Sequence, residues 1–285
     1  MYTLSSSELQ MMPIQFGFQL ETKFYMEGKM TQKPDQPVLY YEFYSSAQTN
    51  HIHVVPDGCV DVLFSCDSSG QIAEVCGSVL MPRTLTFQTN MRYFGVRFLP
   101  GHGIGAIPLK DWIEQRIKLQ DILPSSSESI AQISSAVHFE ERVHVFEQLL
   151  LPQMLGEPLP QLVHYCLEQI TNRRGCIAIH DLSQYTGYSA RYVRKKFEET
   201  VGFSPKLFAQ IVRFQHALHM IMKEELDLLD IVHEQGYYDH SHFVNNFKKF
   251  SHLSPQQLRT ELSRLRHIRG ADHVLSTSYN GRASF

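Results

Sequence analysis

Long apolar runs are absent from this chain. No stretch approaches the roughly 18 consecutive apolar residues that a bilayer-spanning helix needs, so no membrane partner is expected. No basic segment followed by an extended apolar core stands near the start, and no secretory signal is expected. Cysteine is sparse. Cys59, Cys66, Cys76, Cys166 and Cys176 are odd in number and share no tight spacing, which argues against a disulfide framework or a zinc knuckle. Reduced thiols in the cytoplasm are the expectation. A glycine-rich phosphate loop, a nucleophile elbow and a His-Glu zinc helix are all missing, so no catalytic residue, metal ligand or cofactor is expected.

What remains is ordinary globular material of uneven charge. The chain has 285 residues, 43% apolar and 19% charged, enough for two domains with substantial cores. Residues 1–160 carry 10 Lys+Arg against 17 Asp+Glu, a net of −7. Residues 161–270 carry 15 against 11, a net of +4, with nine histidines besides. The basic half is where a polyanion would dock.

Periodicity divides the chain in the same place. Leu39–Tyr44, His51–Val55, Val60–Phe64 and Tyr93–Phe98 are short, aromatic and β-branched, separated by turns such as Pro56-Asp57-Gly58. Strands at this spacing predict a small antiparallel barrel or sandwich over about residues 38–100. Helical character is expected over residues 107–123, around Trp112, and again over residues 127–155, where Ile130, Ile133, Val137, Val143, Phe146, Leu149 and Leu150 recur at threes and fours. Pro152, Gly156, Pro158 and Pro160 mark a linker at 157–161. The expected architecture is α+β: a sensing and dimerisation domain over 1–156, a helical domain over 162–267, and a flexible polar tail over 268–285.

The helical domain repeats itself. Ile179–Leu207 and Leu228–Leu258 each pass from an apolar-spaced helix through Gly-Tyr to a second helix and then Ser-Pro, with Gly236 lying 49 residues after Gly187. Glycine accepts the positive φ that ends a helix, and Ser189 and Asp239 are natural N-caps. In the first copy, burying Val193 and Phe197 leaves Arg191, Arg194 and Lys195 outward. Arginine can donate two parallel bonds to guanine, while lysine chiefly neutralises phosphate. In the second copy, burying Phe243 and Phe247 leaves His240, Ser241 and Asn245 for a groove and Lys248 and Lys249 for phosphates. An isolated helix of either kind is more often a solvated amphipathic face; the duplication favours two reading helices. The apolar-periodic segment 208–222 between them reads as a rigid spacer holding them about one duplex turn, roughly 34 Å, apart.

The run Gly236-Tyr237-Tyr238-Asp239-His240-Ser241-His242-Phe243, with Phe247-Lys248-Lys249 and Ser254-Pro255, resembles the signature of the AraC/XylS family of bacterial transcription regulators. Phe197, Gly202, Ser204-Pro205, Arg213 and Ala217 resemble the same domain in its first copy. The likeness covers about residues 162–262. It implies two helix-turn-helix units, a double-stranded DNA operator, and groove-facing positions at Arg191, Arg194, Lys195, His240, Ser241 and Asn245. Three positions depart from the pattern: Ser183 and Val232 replace a small alanine, and His252 stands where glycine is common. The resemblance also implies a cupin-like barrel with a dimerising helical pair ahead of the DNA-binding domain, a homodimer, and RNA polymerase as a candidate partner.

For the first half, a small effector within the barrel is the leading expectation, with Tyr41, Phe64, Arg83 and Arg97 as candidate contacts and Phe43, Phe87, Phe94 and Phe98 as further lining. Simple core filling explains each aromatic equally well. His51 and His53 share a strand face and could chelate, yet no carboxylate or second-strand histidine completes a set. The alternatives are a regulator that works only through protein partners and a metal-dependent cupin enzyme.

Overall fold

A computed structural model describes residues 13–28, 38–66, 71–102, 108–156, 158–223, 227–237 and 239–269. The expected tail falls almost wholly outside the described residues, as do Tyr238 and residue 157 of the expected linker.

The first half is an antiparallel sheet covered on both faces. A short helix α1 (Phe16–Glu21) precedes β1 (Phe24–Glu27), β2 (Val38–Tyr44), β3 (His51–Val54), β4 (Val60–Ser65), β5 (Ala73–Cys76), β6 (Arg83–Thr86), β7 (Arg92–Phe98) and β8 (Arg116–Lys118). Six strands form one sheet in the order β1-β2-β7-β4-β5-β8, and β3 pairs with β6 in a separate two-stranded sheet. The expected barrel therefore does not close: among the described residues the large sheet ends at β1 and β8.

Alternation along β7 sets the layers, because successive side chains leave a strand on opposite faces. Phe94, Val96 and Phe98 join Tyr40, Val62, Phe64 and Val75 in a core roofed by helices. Tyr93 faces the other way, into a second core with Tyr41, Phe43, Leu63 and Phe87 beneath β3 and β6. The aromatics expected to line one interior thus divide between two cores, Phe64, Phe94 and Phe98 in one and Tyr41, Phe43 and Phe87 in the other.

The roofing helices are α2 (Leu119–Ile122), α3 (Ser127–Ser135), α4 (Phe139–Val145), a π-helical turn at Phe146–Leu150, and α5 (Leu151–Met154). Pro152 lacks the N–H that would bond the preceding turn, and the Gln153 side chain caps the neighbouring Leu149 carbonyl, Nε2 donating at 2.5 Å. The roof is pinned by a buried ion pair, Arg142 to Glu42 of β2. The helix expected around Trp112 is instead a 3₁₀ turn (Leu109–Trp112) leading into β8, which pairs with β5. Val137, expected on the buried stripe, is 73% exposed.

The second half is helical: α6 (Gln161–Asn172), α7 (Ile179–Thr186), α8 (Ala190–Val201), α9 (Pro205–Lys223), α10 (Leu228–Glu234), α11 (His240–Ser251) and α12 (Pro255–Arg269). The nineteen-residue α9 is the axle, touched by α6, α8, α10, α11 and α12. Its stripe of Phe208, Ile211, Val212, Phe214, Leu218 and Ile221 is buried. Gln215 stands on that stripe at 1% exposure. It accepts from Ile14 N at 2.8 Å and donates to the Ile14 and Pro56 carbonyls at 3.2 and 2.8 Å, tying the helical half to the sheet half.

Candidate nucleic-acid interface

The first helix pair is α7 and α8. Gly187, at φ +72°, ends α7 in the left-handed region, with its N–H donating to the Ser183 carbonyl at 3.1 Å. Ser189 then caps α8, its hydroxyl accepting from Tyr192 N at 3.3 Å. Val193, Phe197 and Val201 are buried, and this commits the rest of the helix to solvent. Arg191, Arg194 and Lys195 are all exposed. Arg194 Nε donates to Glu198 at 2.8 Å and Lys195 lies 3.7 Å from Glu199, exposed pairs one turn apart that cost little to exchange for a phosphate or a base.

α8 ends against the sheet half. Gly202 closes it at φ +94°, and a Cβ there would lie 2.9 Å from Lys110 N in the 3₁₀ turn. The far end of α8 is thus held while its N-terminal turns stay open.

The second pair is α10 and α11. Gly236 turns the chain at φ +58°, and Asp239 caps α11 by accepting from His242 N at 2.7 Å. Phe243, Phe247 and Phe250 are buried, whereas His240, Ser241, Asn245, Lys248 and Lys249 are exposed. The turn is locked from α9. Arg213 Nε donates to the Gln235 carbonyl at 2.8 Å and Nη2 to the Gly236 carbonyl at 2.6 Å, while the guanidinium sits 4.0 Å from the centre of the buried Tyr237 ring. Buried Gln235 also approaches His216 Nδ1 at 2.5 Å. Burial, with Arg174 and His219 nearby, pulls the His216 imidazole down to about 4.

The residues considered for an effector do not form one group. Tyr41 and Arg97 meet: the guanidinium lies 5.0 Å from the Tyr41 ring centre, and both bond Asp61. Arg97 is fully buried, with Nε donating at 2.9 Å and Nη2 at 3.0 Å to Asp61, and Asp57 3.6 Å away. Burial opposes its charge, but Asp61 and Asp57 hold it protonated. Burial pushes the Asp57 carboxyl up even with Arg97 beside it. Phe64 lies on the other face of β4 among Phe94 and Phe146, and Arg83 is exposed on β6 with Nη1 donating to the Glu114 carbonyl at 3.2 Å.

His51 and His53 share the exposed face of β3, as alternation requires, and are taken up by Thr86 at 3.1 Å and Glu21 at 2.5 Å. Burial pushes the Cys66 and Cys76 thiols up to about 11 and about 12. Sequence reasoning missed Gln215 and the exposed Tyr185, Tyr188 and Tyr192 around the first turn. A glutamine on an otherwise apolar stripe was the available signal for the first, since a buried amide needs partners.

A family model described as a helix-turn-helix domain matches residues 182–261, and one described as a domain of unknown function (DUF6597) matches residues 36–118. An uncharacterized HTH-type transcriptional regulator of Staphylococcus aureus (strain MSSA476) is 30% identical over 83 residues, 29% of this chain and 11% of that protein. One from Haemophilus influenzae is 32% identical over 85 residues, 30% of this chain and 28% of that protein. The chain thus spans a minor part of either relative's length. Among solved structures, ToxT from Vibrio cholerae aligns at TM-score 0.42 and 11% identity, covering 84% of this chain and 98% of its own. The C-terminal domain of AraT from Geobacillus stearothermophilus aligns at TM-score 0.35 and 21% identity, covering 36% and 88%. Neither likeness positions a residue of this chain.

Proposed function

We propose, from the premise that residues 182–261 are an AraC-type helix-turn-helix domain, that this protein is a sequence-specific transcription regulator whose α8 and α11 enter successive major grooves of double-stranded DNA. The observation that carries the reading is the open face of α8. Arg191, Arg194 and Lys195 project from a helix whose opposite side is wholly buried and whose far end is anchored at Lys110. Arg191 and Arg194 read bases, Lys195 neutralises phosphate, and His240, Ser241 and Asn245 read the neighbouring groove. Lys248 and Lys249 grip its backbone. A nineteen-residue helix is about 28 Å long, so α9 sets the pairs apart on the scale of one duplex turn.

Selection of duplexes from a random-sequence pool by the full chain tests this. Two conserved elements about 10 base pairs apart are expected, and the element read by α8 should vanish for Arg191→Ala/Arg194→Ala. Recovery of the same motif by that variant would remove the assignment.

Control by a small effector in the sheet half is a second reading, favoured by Arg97 Nη1, which is buried without a hydrogen-bond partner among the described residues. An anionic group would satisfy it. A thermal-shift panel of small carboxylates on the full chain tests the idea, and a response that persists in Arg97→Lys would refute the assignment. Homodimerisation through the α3–α5 roof is checked by sedimentation.

A further inference from the structure

Large apolar side chains left in water mark surfaces with work to do. Three of those among the described residues fall within eight positions at the first turn: Tyr185, Tyr188 and Tyr192. Tyr188 and Tyr192 stack with ring centres 5.0 Å apart and planes 27° from parallel, yet remain 51% and 41% exposed. Among the described residues neither hydroxyl has a hydrogen-bond partner. Tyr185 carries the Arg173 guanidinium 5.2 Å above its ring, extending the cationic rim.

The stack's position is specific. Around α8, at 100° per residue, the outward arc runs Arg194, Arg191, Lys195, Tyr192. Tyr192 therefore borders the cationic stripe on the side opposite Arg194, and Tyr188 lies over it just before the Ser189 cap, at the end of a reading helix that enters deepest. The stack holds both rings in place before any partner arrives, so little side-chain entropy is lost on contact. Among the described residues the second turn offers nothing similar, because Tyr237 is buried beneath Arg213.

We propose that Tyr188 and Tyr192 form a preset clamp on one sugar–phosphate wall of the groove entered by α8. Their hydroxyls donate to phosphate oxygens and their rings rest on deoxyribose. The inference rests on the DNA-binding reading above and deepens it. These contacts fix the depth and register of α8; they do not read bases.

The test titrates the full chain with a labelled duplex taken from the pool selection and with a scrambled duplex, each at several salt concentrations. Tyr188→Phe/Tyr192→Phe keeps the stack and removes only the hydroxyls. It should weaken binding to both duplexes by the same factor, at least about 10-fold, on the scale of losing hydrogen bonds to a charged acceptor. The salt slope should not change, since a neutral donor releases no counterion. Tyr188→Ala/Tyr192→Ala should lose more, with an unchanged thermal melt. Wild-type affinity in the Phe variant, or a loss confined to the selected duplex, overturns the clamp. Arg191→Ala run beside it separates the two levels: if it too binds as wild type, the placement of α8 in a groove has failed, not the clamp alone.

Discussion

α8 and α11 are both twelve-residue helices capped by a side-chain oxygen, Ser189 on one and Asp239 on the other, and both bury a phenylalanine-bearing stripe. Their exposed faces differ. α8 carries two arginines and a lysine in its first half and is bordered by a bare tyrosine stack. α11 offers His240, Ser241 and Asn245, and its cations wait at Lys248 and Lys249 near its end. The turns differ in the opposite sense. The first is free around Gly187, where a Cβ would meet nothing within 4 Å, whereas the second is bolted to α9 by Arg213. The first pair is steadied from outside, by Lys110 at its far end, and the second from within, by Arg213. On the proposed DNA-binding reading, the first pair supplies most of the grip and the second less.

The largest effect that could break this contrast is on DNA affinity. Arg191→Ala and Arg194→Ala should each cost about 1–3 kcal/mol against the selected duplex. His240→Ala and Asn245→Ala should cost less, and equal losses in both sets would end the division of labour. Next in size, Arg213→Ala should destabilise the helical half by about 1–2 kcal/mol in urea melts, because the part-buried Gln235 carbonyl and the exposed Gly236 carbonyl lose a charged donor. No single residue of the first turn should match that.

The helix ends sharpen the comparison further. Gly202 and His252 occupy the same left-handed position, at φ +94° and +60°. Gly202→Ala should cost about 1–2 kcal/mol from backbone strain, with contact at Lys110 in addition. His252→Gly should stabilise by about 0.5–1 kcal/mol, since strain is relieved and part of that is returned as chain entropy. Thermal melts decide both signs.

A further effect is on pH. His216, beside the second turn, has a folded pKa lowered from 6.5 to about 4. The unfolded imidazole therefore takes a proton first as pH falls. Stability should be flat above about 6.5, decline between 6.5 and 4, and decline less in His216→Gln. Urea midpoints at pH 7 and 5 measure it.

Much of the helical half was legible in the residues. The repeated Gly-Tyr and Ser-Pro spacing, the caps at Ser189 and Asp239, and the outward set Arg191, Arg194 and Lys195 follow from a 3.6-residue period, which a single helix displays by itself. The sheet half was legible only in part. Leu39–Tyr44 and Tyr93–Phe98 read as strands. The faces of Phe64, Phe94 and Phe98 did not, because a sheet buried on both sides erases the alternation that would distinguish them. β8 was taken for helix since three residues carry no period, and only its pairing with β5 makes it a strand. Tyr188 and Tyr192 sit one turn apart, but whether two tyrosines stack in solvent or bury is settled by what packs beside them.

Sequence by itself thus determined the helices, their caps and the chemistry each could present, because those depend on near neighbours along the chain. Tertiary structure alone decided that Gln215 joins the two halves across some 200 residues, that Arg97 and Asp61 share one buried site, and that the first turn stays bare while the second is locked. Such contacts arise between segments far apart in the chain. Their partners are chosen by packing and by the need of each buried polar group to be satisfied, which no local spacing records.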